Sequence, residues 1–482
     1  MLETSEDTLD PSDWNAFRMQ GHKMLDDMID YLEHQRDNPV WQPMPNAIRQ
    51  TFQQPLDLDH TDLAAAHNIF MGKVIPYALG NAHPGFMGWV HGGGTPVGML
   101  AEMLSAGLNA NLGGRDQAPI GVERQVVQWV RDLFDFPETA SGLFVTGTSM
   151  ANLLAVLIAR TARLGVKVRQ KGMTNNDQQL VAYTSTSAHI SLTKAIEIAG
   201  FGSSALRKIP VNQQFQIDIS ALESTISEDK KTGLTPFFIA GTAGSADVGA
   251  IDNLKSLAEL CQREKIWFHV DGAYGALGML SPDIAPHLQG IEQADSIAFD
   301  FHKWGQVPYD AGFILVRDSQ LQLDTFSSPA AYLKRETRGM AAGSPWPCDF
   351  GPDLSRGFRA LKTWFTLKVY GAEKLGQVIS NTCALAQYLK LRIEAEPKLE
   401  LLAPVALNIV CFRYRSIDAN RINAELVIAL QESGIAAPST TTINGQLAIR
   451  AAIVNHRTTS RDIDNLIDAT LSFGKIAAQS QV

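Results

Sequence analysis

The sequence predicts an α/β protein with a mostly parallel sheet that helices cover on both faces. From about residue 120, strand-like and helix-like segments alternate; "SGLFVTGTSMANLLAVLIAR", for example, is typical of a strand, a turn and a helix. The strands are short apolar runs without period-two alternation, which is typical of parallel strands buried on both faces. Because ligands of such sheets bind beyond the carboxyl ends of the strands, the residues after each strand are the first candidates for a site.

The composition is that of an ordinary globular protein and argues against two classes of partner. The 482 residues, of which 45% are apolar and 19% charged, suffice for two or three domains. A net charge of −9 leaves no basic excess for phosphates, so no nucleic-acid partner is expected. The longest apolar stretches contain charge or glycine well short of the roughly 18 residues that a membrane span needs, so no membrane partner is expected.

The cysteines and the first residues predict a cytoplasmic protein. We interpret most of the cysteines as buried thiols in a reducing compartment, because they are widely spaced and form no CxxC pair. They are Cys261, Cys348, Cys383 and Cys411. The acidic start "MLETSEDTLDPSDW" lacks the basic and apolar regions of a signal peptide. No metal site is predicted.

The chain is expected to divide into a helical arm, a large domain and a small C-terminal α/β domain. The predicted ranges are residues 1–80, 81–370 and 371–482. The arm contains "WNAFRMQGHKMLDDMIDYLEHQ", whose apolar residues recur at helical spacings. Because the arm is too thin to bury its apolar face alone, we expect it to pack on the main body or on a partner subunit.

Two candidate residues or groups follow the first strands of the large domain. Gly147, Thr148 and Ser149 join a strand to a helix, where free N–H groups, the helix dipole and two hydroxyls can hold a phosphate. The bland interpretation is an ordinary serine N-cap. His189 follows the next strand and can stack on a flat ligand or move protons, although it can equally be a hydrogen-bonded core histidine.

A carboxylate and an amine follow later strands. Asp271 comes directly after the buried strand "IWFHV", so its carboxylate is expected to be buried and to need a cation or strong hydrogen-bond donors. A protonated heterocyclic nitrogen of a ligand could be that cation. Alternatively, Asp271 forms a structural salt bridge or caps a turn. The small neighbours Gly272, Ala273 and Gly275 leave room for a bulky ligand. Lys303 follows "SIAFDFH"; a lysine in such an apolar setting has a lowered pKa and can attack an aldehyde, unless it extends to the surface.

An irregular segment at residues 327–357, rich in Gly, Pro and Ser, is predicted to be a mobile catalytic loop. It contains Tyr332, whose phenol could deliver a proton when the loop closes, or could simply pack. A phosphate cradle, a stacking ring, a carboxylate and an amine nucleophile together describe a site for pyridoxal 5'-phosphate (PLP).

The stretch "SIAFDFHKWGQVPYDAGFILVR", from Ser296 to Arg317, resembles the signature around the cofactor lysine in the PLP-dependent group II amino-acid decarboxylases. Aromatic L-amino-acid decarboxylase and glutamate decarboxylase are members of that family. "FRMQGHKMLDDMIDYL", "HPGFMGWV", "HVDGAYGA" and "CFRY" resemble other blocks of the family, so the likeness covers most of the chain. It implies an aspartate-aminotransferase-like fold (fold type I) with a mainly parallel seven-stranded sheet, and a homodimer with active sites at the subunit interface.

The resemblance also implies how the candidate residues hold the cofactor. Lys303 would bind PLP as a Schiff base, Asp271 would pair with its pyridine nitrogen, and His189 would stack on its ring. Ala273 would pack on the other face of the ring.

The remaining roles concern the phosphate and the substrate carbon. The resemblance implies that Thr148 and Ser149 hold the phosphate, with His302 close by. Tyr332 matches a loop tyrosine that protonates the substrate carbon after CO₂ leaves. Family members with phenylalanine there tend to be aldehyde synthases, so Tyr332 favours plain decarboxylation.

The expected reaction is decarboxylation of an L-amino acid to the corresponding amine. Phe86, Trp89 and nearby glycines favour an aromatic side chain, with His91 as a further recognition residue. An acidic substrate stays open, with Arg115 or Arg450 as its partner. Another PLP reaction (aldehyde synthesis, a lyase reaction or transamination) and a non-catalytic PLP-fold protein also stay open.

Two positions depart from the family pattern. The family often has Gly-Thr-Thr where this chain has "GSA", with Ser245 and Ala246, so one hydroxyl contact to the cofactor is missing. Asp300 begins "DFHK", where the family usually has Asn-Pro-His before the lysine. An acidic side chain beside a phosphate is unfavourable unless it points elsewhere.

Overall fold

The structure is a computed structural model that describes residues 8–56, 58–173, 178–328 and 335–479. Tyr332 and part of the predicted loop therefore lie outside the described residues.

Helices and strands alternate through the middle of the chain, as the sequence predicts. The helices are α1 (Trp14–Glu33), α2 (Asn46–Thr51), α3 (Leu63–Ile69), α4 (Pro96–Leu108), α5 (Ala118–Leu133), α6 (Thr148–Leu164), α7 (Val168–Lys171), α8 (Ile190–Ile198), α9 (Ile219–Lys231), α10 (Leu254–Glu264), α11 (Ser319–Phe326), α12 (Arg359–Ala395), α13 (Ala419–Glu432) and α14 (Ser460–Gln479). The strands are β1 (Phe86–Met87), β2 (Ser141–Val145), β3 (Leu180–Ser185), β4 (Leu206–Ile209), β5 (Thr235–Thr242), β6 (Trp267–Asp271), β7 (Ser296–Asp300), β8 (Gly312–Val316), β9 (Leu399–Leu401), β10 (Ile409–Tyr414), β11 (Ala437–Ile443) and β12 (Gln446–Ala452).

Several helices begin where the sequence places a capping side chain. Asp13 accepts hydrogen bonds from the first turn of α1, and Thr95 does the same for α4, whose first residue is a proline. Asp218 and Asp318 cap α9 and α11 in the same way. These caps supply acceptors for N–H groups that the helix itself cannot satisfy.

The large sheet confirms the predicted α/β class. Its seven strands run in the order β2-β8-β7-β6-β5-β3-β4, and only β8 pairs antiparallel with its neighbours. One apolar cluster packs α6 and α8 against the sheet, and a second contains residues of α5, α9 and α10. The strands are buried on both faces, which explains why their sequences are apolar without alternation.

A second, five-stranded sheet lies in the C-terminal part of the chain, in the order β1-β11-β12-β10-β9. Its edge strand β1 comes from much earlier in the sequence and pairs in parallel with β11, Phe86 opposite Ala437. This pairing fixes the segment that carries Trp89 and His91. Helix α12 is broken at Gly371, whose φ of 75° suits glycine, and the predicted boundary between residues 370 and 371 falls at this break.

The N-terminal helices leave apolar side chains uncovered. Helix α1 has no buried residue, and Trp14, Phe17 and Met19 are exposed by 46% or more. Exposed apolar side chains grouped in this way are candidates for an interaction surface. Within the described ranges, no helix combines the length and apolarity needed to cross a membrane.

Candidate active site

A cavity of about 550 Å³ opens at the carboxyl ends of the parallel strands. The strand ends contribute Thr148 and Ser149 after β2, His189 after β3, Thr242 at the end of β5, Asp271 and Ala273 at the end of β6, and Asp300, His302 and Lys303 after β7. The structure therefore brings all the described residues of the predicted cofactor site into one place. The topology explains this, because parallel strands direct their carboxyl ends to the same edge of the sheet.

Asp271 is held by a buried amide that was not predicted from the sequence. The Asn152 side chain, fully buried on α6, donates one hydrogen bond to Asp271 Oδ2 at 2.9 Å and another to Ser191 Oγ at 3.1 Å. The Asn152 oxygen accepts from His269 Nε2 at 2.9 Å. Asn152 lies one helical turn after Thr148, on the same face of α6. A polar residue at this spacing is the sequence feature that could have identified Asn152 as part of the site.

These bonds have a fixed direction. Burial lowers the pKa of His269 to about 3, so its ring is neutral, and its Nδ1 accepts from Ser296 Oγ at 2.8 Å while Nε2–H donates to Asn152. Ser191 Oγ accepts from Asn152, so its own hydrogen is directed to His189 Nδ1 at 2.8 Å. His189 Nδ1 also accepts from the Ser191 N–H. In the neutral His189 ring the hydrogen is therefore on Nε2.

The electrostatics of Asp271 favour a cationic partner. Burial raises the pKa of Asp271, while the hydrogen bond from Asn152, the charge of Lys303 and the Ala273 N–H at 3.2 Å each lower it. A buried carboxylate with these donors is best stabilised by a further positive group. A protonated ring nitrogen meets that need.

Lys303 forms an ion pair rather than standing in purely apolar surroundings. Its Nζ lies 3.0 Å from Asp300 Oδ2, and its side chain is 21% exposed. The other oxygen of Asp300, Oδ1, accepts the Thr148 N–H at 2.7 Å. The carboxylate that departs from the family pattern thus bridges the lysine and the start of α6.

The His302 ring, which is neutral, lies beside Asp300. Burial lowers its pKa to about 4, and its Nδ1 accepts the Ala311 N–H at 3.0 Å. The hydrogen on Nε2 therefore faces Asp300 Oδ2 at 3.5 Å. Tyr309 packs on the His302 ring at 4.2 Å between centroids and also lines the cavity.

Two unpaired hydroxyls show that the cavity fits an anionic ligand. Thr148 Oγ1 and Thr242 Oγ1 are buried and line the cavity, and neither has a hydrogen-bond partner within the described part of the chain. Ser149 is exposed to the cavity at the first turn of α6. A side-chain carbon at Gly147 would enter the same space, 3.7 Å from Asp300 Oδ1. These groups suit a phosphate.

The "GSA" departure leaves a different hydroxyl available. Ser245 is buried, and its Oγ accepts the Ala250 N–H at 3.1 Å within a local turn, while Ala246 lines the cavity. Thr242, which was not singled out in the sequence, presents its hydroxyl from the same segment. Thr242 is the last residue of β5, and this position is the sequence feature that could have identified it as a candidate site residue.

Aromatic rings form one wall of the cavity. His91 and Trp89 line it, and their rings stack with centroids 5.9 Å apart. Phe86 is buried behind them and stacks on His91 at 5.8 Å, so it supports the wall rather than lining it. Tyr309 meets the edge of His91 at 5.8 Å. Burial, and next the charge of Lys303, lower the pKa of His91.

The two arginines considered for an acidic substrate have other partners. Arg450 lines the cavity, but its three nitrogens donate to the carbonyls of Ala246, Asp247 and Trp89 and to Ser439 Oγ. Arg115 is exposed and lies over the Trp346 ring at 4.6 Å. Arg450 is thus held by the protein itself, and Arg115 does not line the cavity in the described residues of this chain.

Comparison with known proteins gives consistent likenesses. The model of the pyridoxal-dependent decarboxylase conserved domain matches residues 64–415. The aromatic-L-amino-acid decarboxylase of Bacillus atrophaeus is 34% identical over 458 residues, covering 92% of this chain and 93% of that protein. The L-2,4-diaminobutyrate decarboxylase of Rhizobium meliloti (strain 1021) is 31% identical over 425 residues, covering 86% and 83%.

A solved structure shares the fold. The crystal structure of Oryza sativa TDC with PLP and tryptamine superimposes with a TM-score of 0.89 and 23% sequence identity. The superposition covers 98% of this chain and 100% of the Oryza sativa chain.

Proposed function

Since the chain belongs to the family of pyridoxal-dependent decarboxylases, we propose that it converts an aromatic L-amino acid to the corresponding amine and CO₂. It is a PLP-dependent carboxy-lyase that acts on amino acids. The observation that carries the choice of an aromatic substrate is the wall of rings, His91, Trp89 and Tyr309, that lines the same cavity as Lys303.

The residues at the strand ends fit the cofactor. Lys303 would hold the PLP aldehyde, Asp271 the ring nitrogen, and Thr148 with Ser149 the phosphate. His189 and Ala273 would lie on the two faces of the ring. Bound PLP supplies an electrophilic aldehyde and a protonated ring that accepts the electron pair left behind when CO₂ departs.

The chain's own groups prepare the site for this chemistry. Asn152 and the Ala273 N–H keep Asp271 in place as an acceptor facing a cation. The hydrogen bonds from Ser191 leave His189 Nε2 as a donor, which suits an anionic group of the substrate. Asp300 Oδ2, 3.0 Å from Lys303 Nζ, holds the amine in place at the end of β7.

The final proton is assigned to Tyr332, which lies outside the described residues. The chain just after this segment is firmly held: Arg335 pairs with Asp349 at 2.6 Å and stacks on Trp346 at 3.5 Å. The proposal that Tyr332 donates this proton rests on its match to the loop tyrosine of the family.

A second substrate class has one observation in its favour. Asp247 lines the cavity and is exposed, although its Oδ1 accepts from Thr441 Oγ1 at 2.9 Å. A carboxylate at this rim would attract an amino acid with a cationic side chain, and the Rhizobium meliloti relative is named for 2,4-diaminobutyrate. An acidic side chain is less suited, since Arg450 donates to the protein itself and Arg115 does not line the cavity in the described residues.

A screen of CO₂ release over the common amino acids and 2,4-diaminobutyrate tests the proposal. An aromatic substrate should give the highest kcat/KM, with its amine identified by mass. Exclusive turnover of 2,4-diaminobutyrate would favour the second class, and release of aldehyde with peroxide would identify an aldehyde synthase instead.

The protein is also proposed to be a cytoplasmic homodimer with its active sites at the interface. Exposed apolar residues support the dimer: α4 carries Leu100, Met103, Leu104 and Leu108, each exposed by 38% or more, and α1 carries Trp14, Phe17 and Met19. The four cysteines are free thiols, which supports a reducing compartment.

A further inference from the structure

The carboxylate of Asp300 lies at the start of α6, the position in the cavity where an anionic ligand is expected to bind. Asp300 is a buried residue (2% exposed) at the end of β7, and its Oδ1 accepts the N–H of Thr148, the first residue of α6, at 2.7 Å. The free N–H groups and the dipole at a helix start attract negative charge. An acidic side chain therefore already uses a donor that would serve a phosphate.

The groups around this carboxylate are the ones assigned to the phosphate. Thr148 Oγ1 is buried and unpaired within the described ranges, and Ser149 borders the same space. The space in front of Gly147 is limited by Asp300 Oδ1 at 3.7 Å and His302 Cε1 at 3.8 Å. Carboxylate and phosphate would thus share one corner of the site.

Among the described residues, no nearby cation compensates for two anions in that corner. His302 is neutral, because burial lowers its pKa to about 4. Lys362 is buried and already paired with Glu102. Lys303 Nζ lies 3.0 Å from Asp300 Oδ2 and can compensate only one of the two negative groups.

We propose that Asp300 competes with the phosphate of PLP for the start of α6 and thereby weakens cofactor binding, so that the enzyme exchanges PLP readily. The inference rests on the proposed cofactor site. Like charges a few Å apart in a buried site repel strongly, so removing one should tighten the binding of the other. Asp300→Asn keeps the shape and removes the charge.

The test compares PLP with pyridoxal, which carries the same aldehyde but no phosphate. Cofactor-free wild type, D300N and D300S are titrated with each compound, following the absorbance of the lysine-bound aldehyde. D300N should lower the Kd for PLP at least tenfold more than it lowers the Kd for pyridoxal. The pyridoxal titration reports any effect on Lys303 alone.

A matched control and a second variant keep the result interpretable. Asp310 pairs with Arg359 nearby and is 38% exposed, so D310N should leave both dissociation constants unchanged. D300S should shift the ratio in the same direction as D300N, and it substitutes if D300N does not fold. In folded variants, an unchanged ratio, or weaker PLP binding in D300N, overturns the inference. Wild-type protein that binds neither compound would instead contradict the proposed function.

Discussion

The side-chain amide of Asn152 donates to Asp271 Oδ2 at 2.9 Å and thereby connects the carboxylate to His269 and, through Ser191, to His189. Asp271 and His189, which follow different strands and are proposed to face the cofactor ring, are thus connected through one buried hub, Asn152. This hub defines the orientation of both side chains.

Replacing Asn152 by alanine should impair cofactor chemistry more than folding. Asp271 would lose a donor, and His269 Nε2–H would lose its acceptor; a hydrogen bond to a charged group contributes about 1.5–3 kcal/mol. We expect kcat/KM to fall by roughly tenfold to a hundredfold and the absorbance of bound PLP to shift. Steady-state kinetics and visible spectra measure both.

The control for this variant is Asn423→Ala. Asn423 is also fully buried and hydrogen-bonded, to Tyr414 and Ala419 in the small sheet region, away from the cavity. It should lower the unfolding midpoint while the spectrum of bound PLP stays unchanged. If N423A and N152A alter the spectrum equally, Asn152 has only a structural role.

Tyr332→Phe should change the product rather than only the rate. Without the phenol, the carbon that loses CO₂ lacks its proton donor, and reaction with O₂ and water can divert it to an aldehyde, with release of ammonia and hydrogen peroxide. We expect less amine, together with aldehyde and peroxide in the presence of oxygen. Product analysis under air and under nitrogen measures this; an unchanged yield of amine would assign the proton to another group.

His456 should make folding stability pH-dependent. Burial lowers its pKa to about 4, whereas its ordinary value is 6.5, and its Nε2 lies 3.0 Å from the Gly94 carbonyl. Between pH 6.5 and 4 only the unfolded chain binds this proton, so the stabilisation is complete above pH 6.5 and is lost as pH falls. The stability difference between wild type and H456N should shrink by up to about 2 kcal/mol from pH 7 to pH 5.

Urea unfolding of both proteins at several pH values measures that difference. Between pH 7.5 and 8.5 it should be constant, which provides the internal control. A difference that stays constant down to pH 5 would show that His456 titrates alike in the folded and unfolded chains.

Leu104→Glu should dissociate the proposed dimer. Leu104 lies on α4, is 49% exposed and belongs to the apolar row with Leu100 and Leu108. A charge buried in an interface is costly, so the variant should sediment as a monomer and lose activity. Ile417→Glu, at a fully exposed position, is the control and should leave the mass unchanged. A dimeric, active L104E protein would place the interface elsewhere.

The fold and the strand-end residues could be predicted because they depend on local pattern and on a general rule of parallel sheets. Asp271, Lys303 and His189 each follow a buried strand, and such strand ends meet at one edge. The partners of Asp300 and Asp271 could not be predicted in this way. Thr148 is 152 residues away from Asp300, and Asn152 is 119 residues away from Asp271.

The contacts of the predicted substrate-binding residues also could not be predicted from local sequence pattern. The roles of Phe86 and Arg450 depend on what each packs against, and composition gives no information about that. Phe86 is covered by His91, and Arg450 is consumed by backbone carbonyls. A sequence motif identifies which residue type stands at a position. Which hydrogen-bond donors of that residue remain free for a ligand is determined by its contacts in the folded chain.

Every role proposed for the cavity depends on Lys303 as the residue that holds PLP, and chemical trapping can establish that bond. Wild-type protein loaded with PLP is reduced with borohydride, digested and mapped by mass spectrometry, alongside Lys303→Ala. We expect one phosphopyridoxyl group on Lys303, and no stable adduct, no visible absorbance of bound PLP and no CO₂ release in the variant. A phosphopyridoxyl group on another lysine, or near-normal CO₂ release by K303A, would show that Lys303 does not hold the cofactor.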